Sequence, residues 1–187
     1  MSVGNARPLR IVAVCGSLRT ASRNRALLEA AQLLAPPGVE IALDWSLATL
    51  PHYNPDLDSL DGSSLPPAAA AWRATIAGAD GLLISSPEYA HGIPGVLKNA
   101  LDWLVSSTDF PGMPFALLGA SVRSVIAPRQ LRTVLVTMNA RFVSKASVTI
   151  EVPGTGADAA AIVASPELSA MLRGALAVFV RAIEESA

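Results

Sequence analysis

The most constraining feature of the sequence is an alternation of short apolar runs with stretches of helical periodicity. Residues 9–15 (LRIVAVC), 80–86 (DGLLISS) and 114–120 (PFALLGA) are apolar at most successive positions, with no regular polar alternation. A strand of this kind has both faces buried, which is typical of parallel sheets with helices on both sides. The sequence therefore predicts an α/β protein.

The remaining elements are predicted from hydrophobic spacing, prolines and helix-capping residues. They are strands at 39–44 and within 142–152, and helices at 22–35, 66–77, 94–106, 127–138 and 165–185. Five strands alternating with five helices favour a flavodoxin-like three-layer sandwich. It has a five-stranded parallel sheet of order 2-1-3-4-5 and helices on both faces. The length of 187 residues suits a single domain spanning 1–187.

The loop after the first strand, residues 16–24 (GSLRTASRN), is predicted to bind an anion. It joins a polar turn to a helix start, where free N–H groups and the helix dipole favour negative charge. It has one glycine, and the chain lacks the glycine-rich dinucleotide and triphosphate motifs, so a monophosphate fits better. The proposed ligands are the hydroxyls and amide of Ser17, Ser22 and Asn24 and the guanidinium of Arg19. The alternative is an ordinary helix cap with solvated arginines.

The loop after the third strand, residues 86–95 (SPEYAHGIPG), is rich in turn residues. Its prolines fix the backbone and its glycines allow another group to approach closely. Tyr89 offers a flat face with a polar tip, and nearby N–H groups suit the edge of a planar ring. The alternative is a rigid turn without a ligand. In the predicted strand order this loop meets the first loop at the switch point, where ligands bind.

Together the two loops resemble the NADPH-dependent FMN reductase family. The motifs are G-S-L-R-x-x-S-x-N after the first strand and S-P-E-Y-x-x-G-I-P-G-V-L-K-N-A-L-D-W after the third, within a resemblance covering about 9–151. The resemblance implies bound FMN, NADPH or NADH as electron donor, a small-molecule electron acceptor, and a homodimer or homotetramer. By motif, it implies that the FMN phosphate is held by Ser17, Arg19, Ser22 and Asn24. The implied contacts of the flavin ring are Pro87, Glu88, Tyr89, Ala90, Gly92 and Ser121.

The loop after the fourth strand departs from the family pattern. The family usually has a glycine-rich turn here, whereas residues 121–127 (SVRSVIA) contain no glycine. Val122, Arg123 and Ser124 are less permissive at positive φ than glycine. We therefore expect this third loop to meet the ring differently, with a tilted flavin, a narrower site or weaker FMN retention. Ala90 also stands where many relatives carry asparagine, which removes a polar contact.

Composition limits the partners and the location. A net charge of −1 gives no reason to expect nucleic acid or an anionic membrane as partner. The charged fraction of 16% is below the roughly 25% of typical domains, which predicts a homo-oligomer. A single cysteine, Cys15, excludes an internal disulfide and fits a cytoplasmic location. Two histidines, His52 and His91, are too few for a usual metal site, so none is predicted.

The predicted function is that of an FMN-dependent NAD(P)H oxidoreductase. It passes hydride from NAD(P)H to flavin and then reduces a quinone, free flavin or similar acceptor. The cofactor carries this chemistry, so no catalytic side chain is predicted. One alternative is a non-catalytic, flavodoxin-like electron carrier, which the net charge of −1 disfavours because such carriers are strongly acidic. The other is a relative of the fold that has lost its flavin, supported by the altered third loop.

Overall fold

The computed structural model describes residues 7–59, 63–152 and 158–186. Its strands are β1 (Leu9–Cys15), β2 (Val39–Asp44), β3 (Gly81–Ser85), β4 (Pro114–Gly119), β5 (Arg141–Phe142) and β6 (Val148–Thr149). Its helices are α1 (Arg23–Leu33), α2 (Pro67–Ala77), α3 (Gly95–Asp102), α4 (Ile126–Thr137), α5 (Ala159–Ala164) and α6 (Pro166–Glu184). The strands form a parallel sheet of order β2-β1-β3-β4-β5, with β6 also paired to β4. The flavodoxin-like order predicted from the sequence is confirmed.

Two hydrophobic cores lie on opposite faces of the sheet. On one face, Ala13 of β1 and Leu83 of β3 pack with α1 and α6. On the other face, Val12 of β1 and Ile84 of β3 pack with α2, α3 and α4. Neighbouring residues of each strand are thus buried in different cores, which explains why the apolar runs show no alternation.

The fifth predicted strand is interrupted. Within 142–152 the sequence predicts one strand, but the structure has β5 and β6 separated by the 3-10 turn Ser144–Ala146. The side chain of Ser147 explains the interruption. Its hydroxyl accepts a hydrogen bond from the Leu117 backbone N–H (3.0 Å) and donates one to the Val143 carbonyl (3.1 Å). A side chain therefore replaces a backbone bond of the ladder, and the sheet has a sixth short strand.

Two helical predictions also needed correction. The helix predicted over 94–106 ends at Asp102, because the chain tightens there into turns such as the bond from Leu104 N–H to the Leu101 carbonyl (2.9 Å). A short helix, α5, precedes α6 and was not predicted. Its N-cap is Asp158, whose carboxylate accepts from the Ala161 N–H (2.8 Å). In the described part of the chain, no helix is both long and apolar enough to cross a bilayer.

The segment 45–59 is held on the protein by a buried ion pair. Asp58 accepts hydrogen bonds from Arg73 Nη2 of α2 (2.6 Å), the Ser106 hydroxyl (2.6 Å) and the Tyr53 hydroxyl (3.2 Å). Arg73 also donates to the Trp103 carbonyl (2.6 Å). This network joins the long connection before α2 to the end of α3.

Candidate functional site

The first and second loops start side by side at the carboxyl end of the sheet. Cys15 of β1 pairs with Ser85 of β3, and the next residue, Gly16, donates its N–H to the Ser85 carbonyl (2.9 Å). A Cβ at Gly16 would lie 2.8 Å from the Cβ of Ser86. Real Cβ atoms do not approach so closely, so glycine is needed for the two loops to meet here.

The first cleft lies between these two loops and has a volume of about 300 Å³. It brings together Ser17, Arg19, Ser22 and Asn24, the predicted anion ligands, with Pro87 and Tyr89 of the second loop. The N–H groups of Arg23 and Asn24, in the first turn of α1, have no acceptor within the helix, so they add further donors at this point. The described residues that line the cleft include no carboxylate. The first cleft is therefore built to accept a negatively charged group.

Side chains of the first loop also fix its shape. The hydroxyl of Ser17 accepts from the Arg19 N–H (3.3 Å), and Ser22 caps α1 by accepting from the Arg25 N–H (3.5 Å). The side-chain amide oxygen of Asn24 accepts a hydrogen bond from the buried Ser85 hydroxyl (3.0 Å). Each serine hydroxyl keeps its own proton for donation, and Asn24 keeps its NH₂ group. The loop is thus preformed and still presents donors.

The second cleft adjoins the first and has a volume of about 200 Å³. It shares Arg23, Asn24 and Pro87 with the first cleft and adds Glu88 and Ser121, so two more predicted site residues lie here. Its remaining lining comes from Ala120, Arg123 and Ser124. The first, second and third loops therefore converge on one continuous region.

The carboxylate of Glu88 binds the start of α4. It accepts from the backbone N–H groups of Ile126 (2.8 Å) and Ala127 (3.0 Å) and lies 3.2 Å from His91 Nδ1. The hydrogen bond from Ala127, followed by those from Ile126 and His91, lowers the pKa of Glu88 despite some desolvation. An ionised carboxylate thus caps α4 and ties the second loop to the third.

Residues 89–92 form a tight turn beside the clefts. The backbones of Tyr89 and Gly92 exchange two hydrogen bonds of 3.0 and 2.9 Å. Ala90 and His91 between them have φ values of 48° and 58°, in the left-handed region. The structure does not bring Ala90 or Gly92 to the described wall of either cleft. Their turn presents the ring of Tyr89, which is 51% exposed.

The third loop does not need glycine. In the described chain, positive φ outside glycine occurs at Ala90, His91 and Asn139, none of which belongs to 121–127. The Glu151 carboxylate accepts from the Val122 N–H (2.6 Å), and the Ser121 hydroxyl accepts from the Arg123 N–H (3.3 Å). Residues 121–127 therefore form this loop without left-handed backbone, while the expected effect of the loop on the flavin ring stays a prediction.

Two residues at this site were missed by sequence reasoning. Arg23 lines both clefts, donates to the Val152 carbonyl (3.3 Å) and lies 3.6 Å from Glu151. Its place at the start of α1, inside the anion-binding loop, was the available signal. Glu151 had no local signal, since its contacts with Val122 and Arg23 are distant in sequence.

Comparison with known proteins agrees with this geometry. The family model described as NADPH-dependent FMN reductase matches residues 9–153. An NAD(P)H-dependent FMN reductase of Pseudomonas aeruginosa is 38% identical over 147 residues, which cover 76% of this chain and 77% of that protein. A 2-hydroxy-1,4-benzoquinone reductase of a Burkholderia species is 42% identical over 133 residues, covering 67% and 69%.

A solved structure extends the similarity to the whole fold. The flavoenzyme NAD(P)H:(acceptor) oxidoreductase of Paracoccus denitrificans superposes with a TM-score of 0.82 at 27% identity, covering 95% of this chain and 98% of that one. The resemblance that the two loop motifs predict is therefore confirmed over most of the sequence. The chain belongs to the NADPH-dependent FMN reductase family.

Proposed function

We propose that the two clefts together bind FMN, with the phosphate in the first cleft and the ring beside Pro87 and Tyr89. The observation that carries this proposal is the convergence of donors on the first cleft, whose described lining holds no carboxylate. Ser17, Arg19 and Ser22 would bind the phosphate oxygens. Charge-assisted bonds of this kind are the strong ones.

Family membership makes the chain an oxidoreductase that uses FMN with NAD(P)H as electron donor. Bound FMN supplies the hydride chemistry, and the protein binds and orients it. Asn24 and the α1 N-terminus would fix one end of the cofactor, while the Tyr89–Gly92 turn fixes the other. Glu88 lines the second cleft, but its carboxylate is engaged with the start of α4, so its proposed contribution is to position the third loop. Positioning of donor and acceptor on a preformed surface is then the main contribution of the chain.

We further propose a quinone as electron acceptor. The proposal is supported by the relatives named for quinone reduction, including a quinone reductase of Escherichia coli that is 34% identical over 142 residues. Tyr89 lines the first cleft and is half exposed, so part of its flat apolar ring is open to a planar acceptor. A free flavin has the same planar character, so the two acceptors should be compared directly.

The first test is an FMN titration followed by absorbance. We expect the protein to bind FMN, and Arg19→Ala to weaken binding by about tenfold because a charge-assisted bond to the phosphate is lost. Arg25→Ala is the matched control. Arg25 lies in the same region but pairs with Glu29 (2.8 Å) and stacks on Trp45 (4.4 Å), outside the first cleft. Equal weakening by the two variants would refute the phosphate assignment.

The second test adds NADPH or NADH and then a benzoquinone under nitrogen. Oxidation of nucleotide that depends on quinone is the expected result. FMN binding without turnover by either nucleotide would instead support the electron-carrier alternative. Absence of binding at tens of micromolar FMN would support the alternative in which flavin has been lost.

We propose in addition a cytoplasmic location and a homo-oligomer. The single cysteine supports the first, and the charged fraction of 16% supports the second. Light scattering coupled to size-exclusion chromatography should give a mass of two or four chains. A monomer at micromolar concentration would contradict the proposed assembly.

A further inference from the structure

A cavity of about 210 Å³ lies beneath the first half of α4. Its floor is formed by Ile84 of β3, Leu117 of β4 and Phe142 of β5, and its outer side by Val148 of β6. It shares no described lining residue with the first or second cleft. The cavity is therefore separate from the proposed FMN site.

The interrupted edge of the sheet explains why this space exists. The turn between β5 and β6 replaces part of a strand, so the side of β4 under α4 is incompletely covered. Leu117 and Phe142 are only partly buried, although both belong to the sheet. An apolar molecule placed here would complete the packing that a continuous strand provides elsewhere.

Apart from Thr149 and two arginines at the mouth, the polar side chains that line the cavity are Ser86 and Ser147. The Ser86 hydroxyl donates to the Pro87 carbonyl (3.1 Å). The Ser147 hydroxyl is engaged with Val143 and Leu117, as described above. The hydroxyls of these two lining serines are thus occupied by the protein itself. The part of a ligand that enters the cavity should be apolar.

The mouth of the cavity is positively charged. Arg129 and Arg132 lie one turn apart on α4, both exposed, and both contribute to the lining. The guanidinium carbon of Arg132 lies 4.9 Å from the centre of the Phe142 ring. Among the described residues, no carboxylate pairs with either arginine. Two unpaired guanidinium groups beside an apolar cavity suit a carboxylate, which arginine binds with two parallel hydrogen bonds.

We propose that this cavity is a second ligand site, which takes a single-ring aromatic carboxylate. The ring lies against Leu117 and Phe142, and the carboxylate is bound by Arg129 and Arg132. The volume is below the roughly 300–1,000 Å³ of sites for drug-sized molecules, so a flavin or a dinucleotide is too large.

Titration of the FMN-saturated protein with benzoate, followed by amide NMR shifts, tests the proposal. We expect a Kd of about 1 mM or tighter, as a ligand of nine heavy atoms allows. Shifts should be centred on α4 and β6. Benzamide has the same shape without the charge and should bind at least about tenfold more weakly, because its contacts with both guanidinium groups are neutral.

Variants separate this site from others. The double variant Arg129→Ala/Arg132→Ala should weaken benzoate binding at least about tenfold. Val148→Phe should fill the cavity and abolish binding. Arg173→Ala, on α6, is the control, since Arg173 is also exposed and lines none of the clefts or the cavity described above.

Three results would overturn the proposal: no benzoate shifts up to tens of millimolar, equal binding to the double variant, or retained binding by Val148→Phe. Benzoate binding that occurs only in protein free of FMN would also overturn it, since benzoate would then occupy the flavin clefts. If the protein does not bind FMN, the benzoate titration still tests the proposal, because the cavity shares no described lining residue with the two clefts.

Discussion

Replacing Asp58 by alanine should destabilise the protein more than most single substitutions. The Asp58 side chain is 3% exposed, and that of its partner Arg73 is 15% exposed. Asp58→Ala removes three hydrogen-bond acceptor contacts and leaves the Arg73 charge without a counter-ion. Breaking a buried pair in this way costs about 3–5 kcal/mol. Because Arg73 keeps its bonds to Ser106 and the Trp103 carbonyl, we expect the low end, about 3 kcal/mol.

The lowered pKa of Asp58 also indicates that the network stabilises the folded protein. Burial alone raises this pKa, but the hydrogen bonds from Ser106 and Arg73 and the Arg73 charge outweigh burial and lower the pKa below its ordinary value. The network therefore favours the ionised carboxylate. Asp58→Asn keeps the shape and loses the charge, so it should cost less than Asp58→Ala.

Urea unfolding measures this difference directly. The midpoint should fall without a change in the m-value, since the same surface is exposed on unfolding. A loss of about 3 kcal/mol lowers the melting temperature of a chain of this size by about 6–12 °C. Lys98→Ala is the control, since it breaks a partly exposed i,i+4 pair with Asp102 that is worth about 0.3–0.5 kcal/mol. If Asp58→Ala costs no more than this control, the network does not hold the 45–59 segment as argued.

Three further predictions concern the site. Because folding lowers the pKa of Glu88, its ionised form stabilises the protein at pH values above 4.5, the pKa of the unfolded chain. This contribution is lost as the pH falls, so the difference in stability between wild type and Glu88→Gln should shrink below pH 4.5. A difference that does not depend on pH would contradict this prediction. Ser85→Ala leaves the buried Asn24 oxygen unpaired and should cost about 1–3 kcal/mol in urea unfolding and weaken FMN binding; unchanged values of both would refute this role. Ala90→Asn, which keeps the contact of His91 with Glu88, should raise stability by about 1 kcal/mol, because asparagine tolerates the left-handed region. A lower melting temperature would mean that the turn is not strained at Ala90.

The fold was largely predictable because strands buried on both faces of the sheet are apolar at nearly every position. The runs that became β1, β3 and β4 are apolar at nearly every position, and each lies inside the sheet. The edge of the sheet formed by β5 and β6 was harder to predict. Whether 142–152 forms one strand or two depends on the Ser147 hydroxyl bonding Leu117, 30 residues away. Hydrophobic pattern contains no information about such a bond.

The first cleft was predictable for a related reason. Ser17, Arg19, Ser22 and Asn24 lie within eight consecutive residues, so one strand–turn–helix unit brings them together. The role of Glu88 was not predictable from its motif. The motif places it beside the ring, while the structure adds a hydrogen bond to Ile126, 38 residues later.

Glu88 and Glu151 together explain how a loop without glycine closes this site. A glycine-rich loop reaches its shape through backbone conformations that other residues disfavour. Here the Glu88 carboxylate binds N–H groups at the start of α4, and the Glu151 carboxylate binds the Val122 N–H, three residues after β4. The third loop is thus held at both ends by carboxyl side chains from other parts of the chain. Its shape is set from outside, so the sequence of 121–127 can carry valine and arginine without left-handed backbone.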